Sequence, residues 1–345
     1  MATKVAVLGA GSWGTAVAAI AARNVATTLW ARRPELANDI ATTHVNTDYL
    51  PAFRLPPKLG ATSSLQEALD GADTVVMGVP SHGFRDILVE AAPFLAPGIP
   101  IISLTKGVEQ STLKRMTEVI DEVVPGHCTG VLTGPNLAKE VMSGYPAGTV
   151  IALTDMARCA DLQPLFSADF FRVYTNHDVV GCEIAGALKN VMAIAAGIAD
   201  GMGFGDNTRA TLITRGLAEL SRLGVALGGE PLTFSGLAGM GDLVATCISR
   251  QSRNRHVGEE LGRGRSIDEI VKEMNMVAEG VKTSKAVVEL AARAGVDMPI
   301  AEQVVAVLYE GKSAAEIVPP LMMRAPGAEL AGIGPGPMAA PGPTP

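Results

Sequence analysis

A handful of charged side chains sit where their surroundings do not suit them, and these carry the chemistry. Lys189 lies in Gly186-Ala187-Leu188-Lys189-Asn190, inside an otherwise apolar, small-residue stretch. An ammonium is costly to bury without partners. Burial and nearby cations lower its proton affinity from about 10.4 toward the working range, which suits a general acid and base. The plain alternative is a lysine snorkelling along a helix surface. Lys106 stands just past the apolar run Ile101-Ile-Ser-Leu104 and before Gly107. Ligands bind beyond the carboxyl ends of parallel strands, so Lys106 is placed to meet both cofactor and substrate; a loop lysine is the alternative. Asp242 follows Gly239-Met-Gly241 and opens an expected helix, where a carboxylate is also an ordinary N-cap. Thr246 is four residues on, hence on the same helical face.

Ser252-Arg253-Asn254 reads as a phosphate grip. Serine at a helix start leaves outward-pointing N–H groups, arginine adds a forked permanent cation, and asparagine adds a neutral donor. Asn190 is a further amide for the same group. A solvated basic loop is the alternative, since Arg250 and Arg255 lie close by. His82, after Pro80-Ser81 at a strand end, is assigned a cofactor-side or structural role. No Ser-His-Asp triad and no metal-ligand cluster is present in the sequence, so hydrolase and metalloenzyme chemistry have no support and no metal is expected.

Gly9-Ala10-Gly11-Ser12-Trp13-Gly14 is a GxGxxG motif that follows a strand-like run and opens a helix. In that context it reads as a dinucleotide-binding loop; a glycine-rich turn with no ligand is the alternative. Gly9 makes the tight turn, Gly11 admits the pyrophosphate and Gly14 lets helix and sheet approach. The second strand ends in Arg32-Arg33 rather than an acidic residue, which suits a 2′-phosphate and makes NADPH the expected preference. Glu35 is near enough to leave NADH in use. Two solvated arginines are the bland alternative.

These residues must be held by two kinds of structure. Apolar runs at 4–8, 27–31, 73–79, 99–104 and 129–133 alternate with helical stretches at 12–23, 65–69, 85–94 and 113–123, and runs at 150–153 and 171–174 extend the series. Alternation of this kind predicts a parallel sheet covered on both faces. From about residue 178 strand signals stop, and helices are expected at 183–198, 208–227, 252–261, 267–273, 283–293 and 300–308. The expected fold is thus an α/β Rossmann-type N-terminal domain (1–177) followed by an all-α C-terminal domain (178–324). The stretch 325–345 is nearly all Ala, Gly and Pro and is expected to be disordered.

The bulk composition agrees. At 345 residues with 48% apolar residues, two cores are affordable. A net charge of −7 argues against nucleic-acid partners acting through bulk charge. Cys128, Cys159, Cys182 and Cys247 show no CxxC pair and read as small buried thiols. No stretch reaches 18 uninterrupted apolar residues and no signal peptide is evident, so no membrane span and a cytoplasmic location are expected.

Seven segments together resemble the NAD(P)-dependent glycerol-3-phosphate dehydrogenase family in its bacterial form. They are Gly9-Ala-Gly-Ser-Trp-Gly-Thr15, Val79-Pro-Ser-His82, Ser103-Leu-Thr-Lys-Gly107, Thr133-Gly-Pro135, Ala187-Leu-Lys-Asn190, Gly239-Met-Gly-Asp-Leu243 and Ser252-Arg-Asn-Arg255. The resemblance implies interconversion of dihydroxyacetone phosphate and sn-glycerol 3-phosphate for phospholipid synthesis, usually by a homodimer. It implies that Lys189 is the proton donor, Lys106 a second lysine that polarises the carbonyl or fixes the substrate, and Asp242 the carboxylate that orients Lys189. It further implies substrate contacts at Gly134, Asn136 and Thr246, and cofactor contacts at Ser12, Trp13, Ala138, Arg253, Val277 and Glu279. Asn136-Leu137 departs from the family's usual small residue followed by Phe. A 3-hydroxyacid or ketopantoate-type reductase shares this plan, but the Gly-Asp-Leu and Ser-Arg-Asn segments argue against it. A non-catalytic NAD(P) sensor would leave Lys106, Lys189 and Asp242 without a purpose.

Overall fold

The computed structural model describes residues 4–274, 278–325, 327–329 and 332. Ten strands are formed: β1 (Lys4–Leu8), β2 (Ala26–Trp30), β3 (Val45–Asn46), β4 (Leu50–Arg54), β5 (Leu59–Thr62), β6 (Thr74–Met77), β7 (Ile101–Ser103), β8 (Thr129–Thr133), β9 (Ala147–Leu153) and β10 (Phe171–Asn176). Eight make one sheet in the order β10-β9-β8-β7-β6-β1-β2-β5, and β3 pairs with β4 in a separate ribbon. The continuous apolar runs are explained by burial on both faces. Val5, Val7, Leu29, Val76 and Ile102 share one core with Val17 and Ile20 of the helix Ser12–Asn24. Ala6, Leu8, Val75, Met77 and Ile101 share the other with Phe84, Leu88, Val119 and Ile120.

The sheet corrects the expectation of uniformly parallel pairing. β8 and β9 run antiparallel, with Thr133 opposite Val150 and Gly130 opposite Leu153. The connection between them holds only the short helix Ala138–Met142, too little for a parallel crossover. β9 and β10 are again parallel to each other. Residues 44–62, which carry no clear period in the sequence, supply the ribbon and β5.

After β10 the described chain is helical. The 23-residue helix Val179–Gly201 is buried along nearly its whole length. It is long and apolar enough to cross a membrane by composition, but 89% of its apolar window is buried inside the protein. Around it lie the helices Asp206–Ala226, Asp242–Ile248, Arg253–Gly262, Glu279–Arg293 and Pro299–Tyr309. The tightest neighbour is Arg253–Gly262. A methyl group on Gly197 or Gly201 would collide with the backbone of Arg255 or Glu259, and one on Gly258 or Gly262 with that of Ile194 or Ile198. Glycines at a spacing of four on both helices therefore let the two backbones touch. The start of Arg253–Gly262 is thereby held at a fixed distance from Lys189. The helix Ala314–Met322 is not legible in the sequence because it contains Pro319 and Pro320, which read as breakers. Cys159, Cys182 and Cys247 are buried and Cys128 is half-buried.

Candidate active site

At the cofactor end the backbone is arranged and the side chains brace it. Gly9 has φ +121°, which favours glycine, and a Cβ there would strike Gly78. A Cβ on Gly14 would strike the carbonyl of Gly9. By contrast a Cβ on Gly11 would meet nothing within 4 Å. Gly11 is the N-cap of the helix Ser12–Asn24, and no side chain caps that helix. Its first N–H groups and its positive end therefore face open space, which fits a pyrophosphate. Trp13 turns its ring inward, edge-on to Phe171 at 6.1 Å, so it serves a ligand through its backbone.

The brace is Asn46, a residue with no signal in the sequence. Fully buried on β3, it donates through Nδ2 to Ala10 O (2.9 Å) and Thr15 Oγ1 (2.8 Å), pinning the glycine loop from outside. Ser12 Oγ faces Tyr49 O from the same side, at 3.4 Å. The two arginines after β2 differ. Arg33 is paired with Asp48, so only Arg32 has its guanidinium uncommitted. Arg33 is thereby drawn to the loop after β3 in an exposed ion pair.

At the other end the side chains themselves converge. Lys189 is 6% exposed, and its Nζ donates to Asp242 Oδ1 (2.5 Å) and Thr246 Oγ1 (2.7 Å). Thr246 in turn donates to Asp242 O at 2.7 Å. Lys106 Nζ donates to the other carboxylate oxygen, Asp242 Oδ2 (2.5 Å), and to Gly134 O (3.0 Å). One carboxylate therefore holds two ammonium groups side by side. Each ammonium has three hydrogens, so each retains one beyond these bonds. Burial pulls the Lys189 pKa down to about 8; Asp242 opposes that fall and the charge of Lys106 adds to it. Asp242 is the first residue of its helix, whose N-cap is Gly241, so its carboxylate serves the lysines and not a cap. Thr246 is correspondingly a partner of Lys189.

Beside this pair lie Asn190 and the start of Arg253–Gly262. Ser252 caps that helix by accepting from Arg255 N at 3.2 Å. Asn254 Nδ2 donates to Asn190 Oδ1 at 2.9 Å, and Asn254 Oδ1 accepts from Gly280 N at 2.9 Å. The buried amides are thus oriented before any ligand arrives, and Arg253 stays exposed at the helix start. Glu279, next to Gly280, accepts from Ser81 Oγ at 3.3 Å. Burial raises its carboxyl pKa, against which the charges of His82 and Arg253 act. The Ser81–Glu279 contact thus joins the segment after β6 to the start of the helix Glu279–Arg293. Val277 lies outside the described residues.

Asn136 lies in the loop after β8. Its Nδ2 donates to Gly148 O at 3.1 Å, and the Thr149 hydroxyl lies 2.8 Å from its Oδ1. The amide fastens the loop after β8 to β9 and leaves one Nδ2 hydrogen for a ligand. Ala138 begins the short helix beyond it. Glu183 is a buried carboxylate that the sequence does not single out. It is buried on the helix Val179–Gly201 and reaches back to Arg115 and Thr117 of the sheet domain.

A doubly wound nucleotide domain facing a helical domain with a buried lysine–aspartate pair defines a two-domain, nicotinamide-dependent oxidoreductase. Family models agree with that class. The N-terminal model for NAD-dependent glycerol-3-phosphate dehydrogenase matches residues 4–159, and the C-terminal model matches residues 178–319. The chain belongs to the NAD(P)-dependent glycerol-3-phosphate dehydrogenase family. It is 55% identical to glycerol-3-phosphate dehydrogenase [NAD(P)+] 2 of Sphingopyxis alaskensis, over 95% of this chain and 99% of that protein. It is 51% identical to glycerol-3-phosphate dehydrogenase [NAD(P)+] 1 of Mycobacterium tuberculosis, over 96% of this chain and 97% of that protein. Among solved structures, the glycerol-3-phosphate dehydrogenase of Coxiella burnetii superposes with a TM-score of 0.89 at 36% identity, covering 93% of this chain and 99% of that one. A ketopantoate reductase from Ralstonia eutropha, at 19% identity and a TM-score of 0.58, shares the fold alone.

Proposed function

We propose that this chain reduces dihydroxyacetone phosphate to sn-glycerol 3-phosphate, reversibly, with NADPH or NADH. The observation that carries the reading is the Lys189 ammonium, buried, held by Asp242 and Thr246, and left with one hydrogen for a ligand. Gly9, Gly11, Gly14, Ser12 and Trp13 would hold the pyrophosphate, with Ala138, Arg253 and Glu279 around the rest of the dinucleotide. When bound, the nicotinamide supplies the hydride that reaches the carbonyl carbon. Lys189 gives the carbonyl oxygen its proton, and takes it back in the oxidative direction. Lys106 polarises the same oxygen and keeps the local charge positive, while Asp242 orients both ammonium groups. Arg253, the N–H groups after Ser252, Asn254 and Asn190 grip the substrate phosphate.

Arg32, with its guanidinium uncommitted, favours NADPH over NADH. We further propose a division at residue 178 into a nucleotide domain and a helical domain, a homodimer, a cytoplasmic location and a role in glycerophospholipid supply. Initial rates with dihydroxyacetone phosphate and each cofactor test the central reading. Turnover with the phosphorylated ketone and none with unphosphorylated 2-keto acids is expected. Rapid oxidation of NADPH by a keto acid, with none by dihydroxyacetone phosphate, would overturn it. Cofactor binding with no turnover on any of these would leave the sensor reading standing instead.

A further inference from the structure

On one side of the helix Val179–Gly201, three residues spaced by three link it to the segment that bears Lys106. At Lys189 it meets Asp242, which also holds Lys106. At Gly186 it lies against the stem of Lys106: a Cβ there would sit 3.5 Å from Lys106 Cγ and 3.3 Å from Thr133 Oγ1. At Glu183 it makes a buried ionic contact that the proposed chemistry does not use. Glu183 Oε1 accepts from Thr117 N at 3.0 Å, and Oε2 accepts from Thr117 Oγ1 at 2.5 Å and Arg115 Nη1 at 2.7 Å. Arg115 and Thr117 belong to the segment that continues from Lys106 into the helix Met116–Val123. The same segment and the same helix therefore carry the two lysines and, a turn or two away, the two halves of a buried salt bridge.

We propose that Glu183 is a positioning residue: with Arg115 and Thr117 it locks the segment bearing Lys106 against the helix bearing Lys189, and so fixes the spacing of the two ammonium groups. A buried carboxylate with this many donors tolerates little displacement, because each lost bond leaves a polar group unpaired in a dry interface. The groups facing Lys189 are Asp242 and Thr246 on one helix, Lys106 across the cleft, and the Cys247 thiol, whose pKa burial pushes up to about 12. Of these, Lys106 alone is held from the sheet domain. If the lock loosens, Lys106 backs away from Lys189. Lys189 then keeps its proton more tightly and both are misplaced for the carbonyl, and a displacement near 1 Å at such a site costs up to about 100-fold in rate.

Glu183→Gln alone would change the net charge near Lys189 and leave Arg115 with Glu118 as its remaining carboxylate, perturbing Lys189 directly. The test therefore uses two charge-balanced variants, Thr117→Val and the pair Arg115→Gln with Glu183→Gln. The kinetic part rests on Lys189 being the proton donor. For Thr117→Val the expected result is kcat lower by about three- to tenfold, an NADPH Kd within about twofold of the parent and an alkaline limb moved to higher pH; the pair should show the same change, larger. In parallel, acetylation of Lys189 by acetic anhydride is followed against pH by peptide mass spectrometry, which reports its proton affinity whether or not it is the donor. A merely structural lock would lower the melting temperature and leave both the limb and the labelling profile in place, and that result overturns the inference. If the pair does not fold, Thr117→Val decides by the same two profiles. If Lys189→Ala retains turnover, the donor reading fails separately, and the labelling profile alone decides this one.

Discussion

The two ends of the cleft are built in opposite ways. At the glycine loop the ligand-facing groups are backbone N–H groups, and side chains only brace them, Asn46 by pinning the loop from outside and Trp13 by turning its ring inward. At the lysine pair the ligand-facing groups are side chains, two ammonium groups on one buried carboxylate. The difference follows from what each end must do. A pyrophosphate is held in one charge state by many weak donors, and backbone amides supply these without titrating. A carbonyl being reduced needs a group that gives up a proton, and only a titrating side chain in a dry setting can be tuned for that. The contrast teaches that binding and chemistry can be damaged independently.

Substitutions can sharpen or break that separation. The largest effect is expected at Lys189→Ala, with turnover down by about 1000-fold or more and NADPH affinity unchanged in a fluorescence titration. A matching loss of NADPH affinity would mean the two ends are not separate. Next comes Gly14→Ala, whose methyl group has nowhere to go but into the carbonyl of Gly9. NADPH affinity should fall by about 100-fold, with the pH profile of the residual activity unmoved. Arg253→Ala should raise the substrate KM by about 30-fold with a smaller change in kcat, measured by steady-state rates.

The pH dependence is smaller and specific to the chemical end. Lys189, with a pKa near 8, must be protonated to reduce and deprotonated to oxidise. Reduction should therefore fall by about tenfold per pH unit above that value, and oxidation should rise toward it from below. The smallest change is expected from Arg32→Ala with Arg33→Ala, about tenfold in the NADPH-to-NADH preference and carried by Arg32, since Arg33 is engaged by Asp48.

What the sequence makes legible follows the range of the forces involved. The glycine turn, the switch from strand to helix near residue 178 and the oddly placed Lys189 are local statements, readable in a few consecutive residues. Asn46 bracing Thr15, Arg115 and Thr117 reaching Glu183, and Arg33 turning to Asp48 join residues distant in the chain or in separate elements. No single sequence displays such pairings. The antiparallel step at β9 is hidden for a related reason: a strand buried on both faces has the same apolar pattern in either direction. Family resemblance supplied roles for Asp242 and Thr246, but not the geometry by which one carboxylate serves two lysines.

The reversal at β9 has a consequence for how tightly the chain length is constrained. Because β9 and β10 point away from the ligand edge, the chain leaves β10 near the far side of the sheet, and the helix Val179–Gly201 has to travel back before Lys189 arrives. That stretch works as a ruler. One residue added or removed between 179 and 188 turns Lys189 by about 100° and moves it about 1.5 Å along the axis. Conservative exchanges there can be absorbed, but an insertion or deletion cannot.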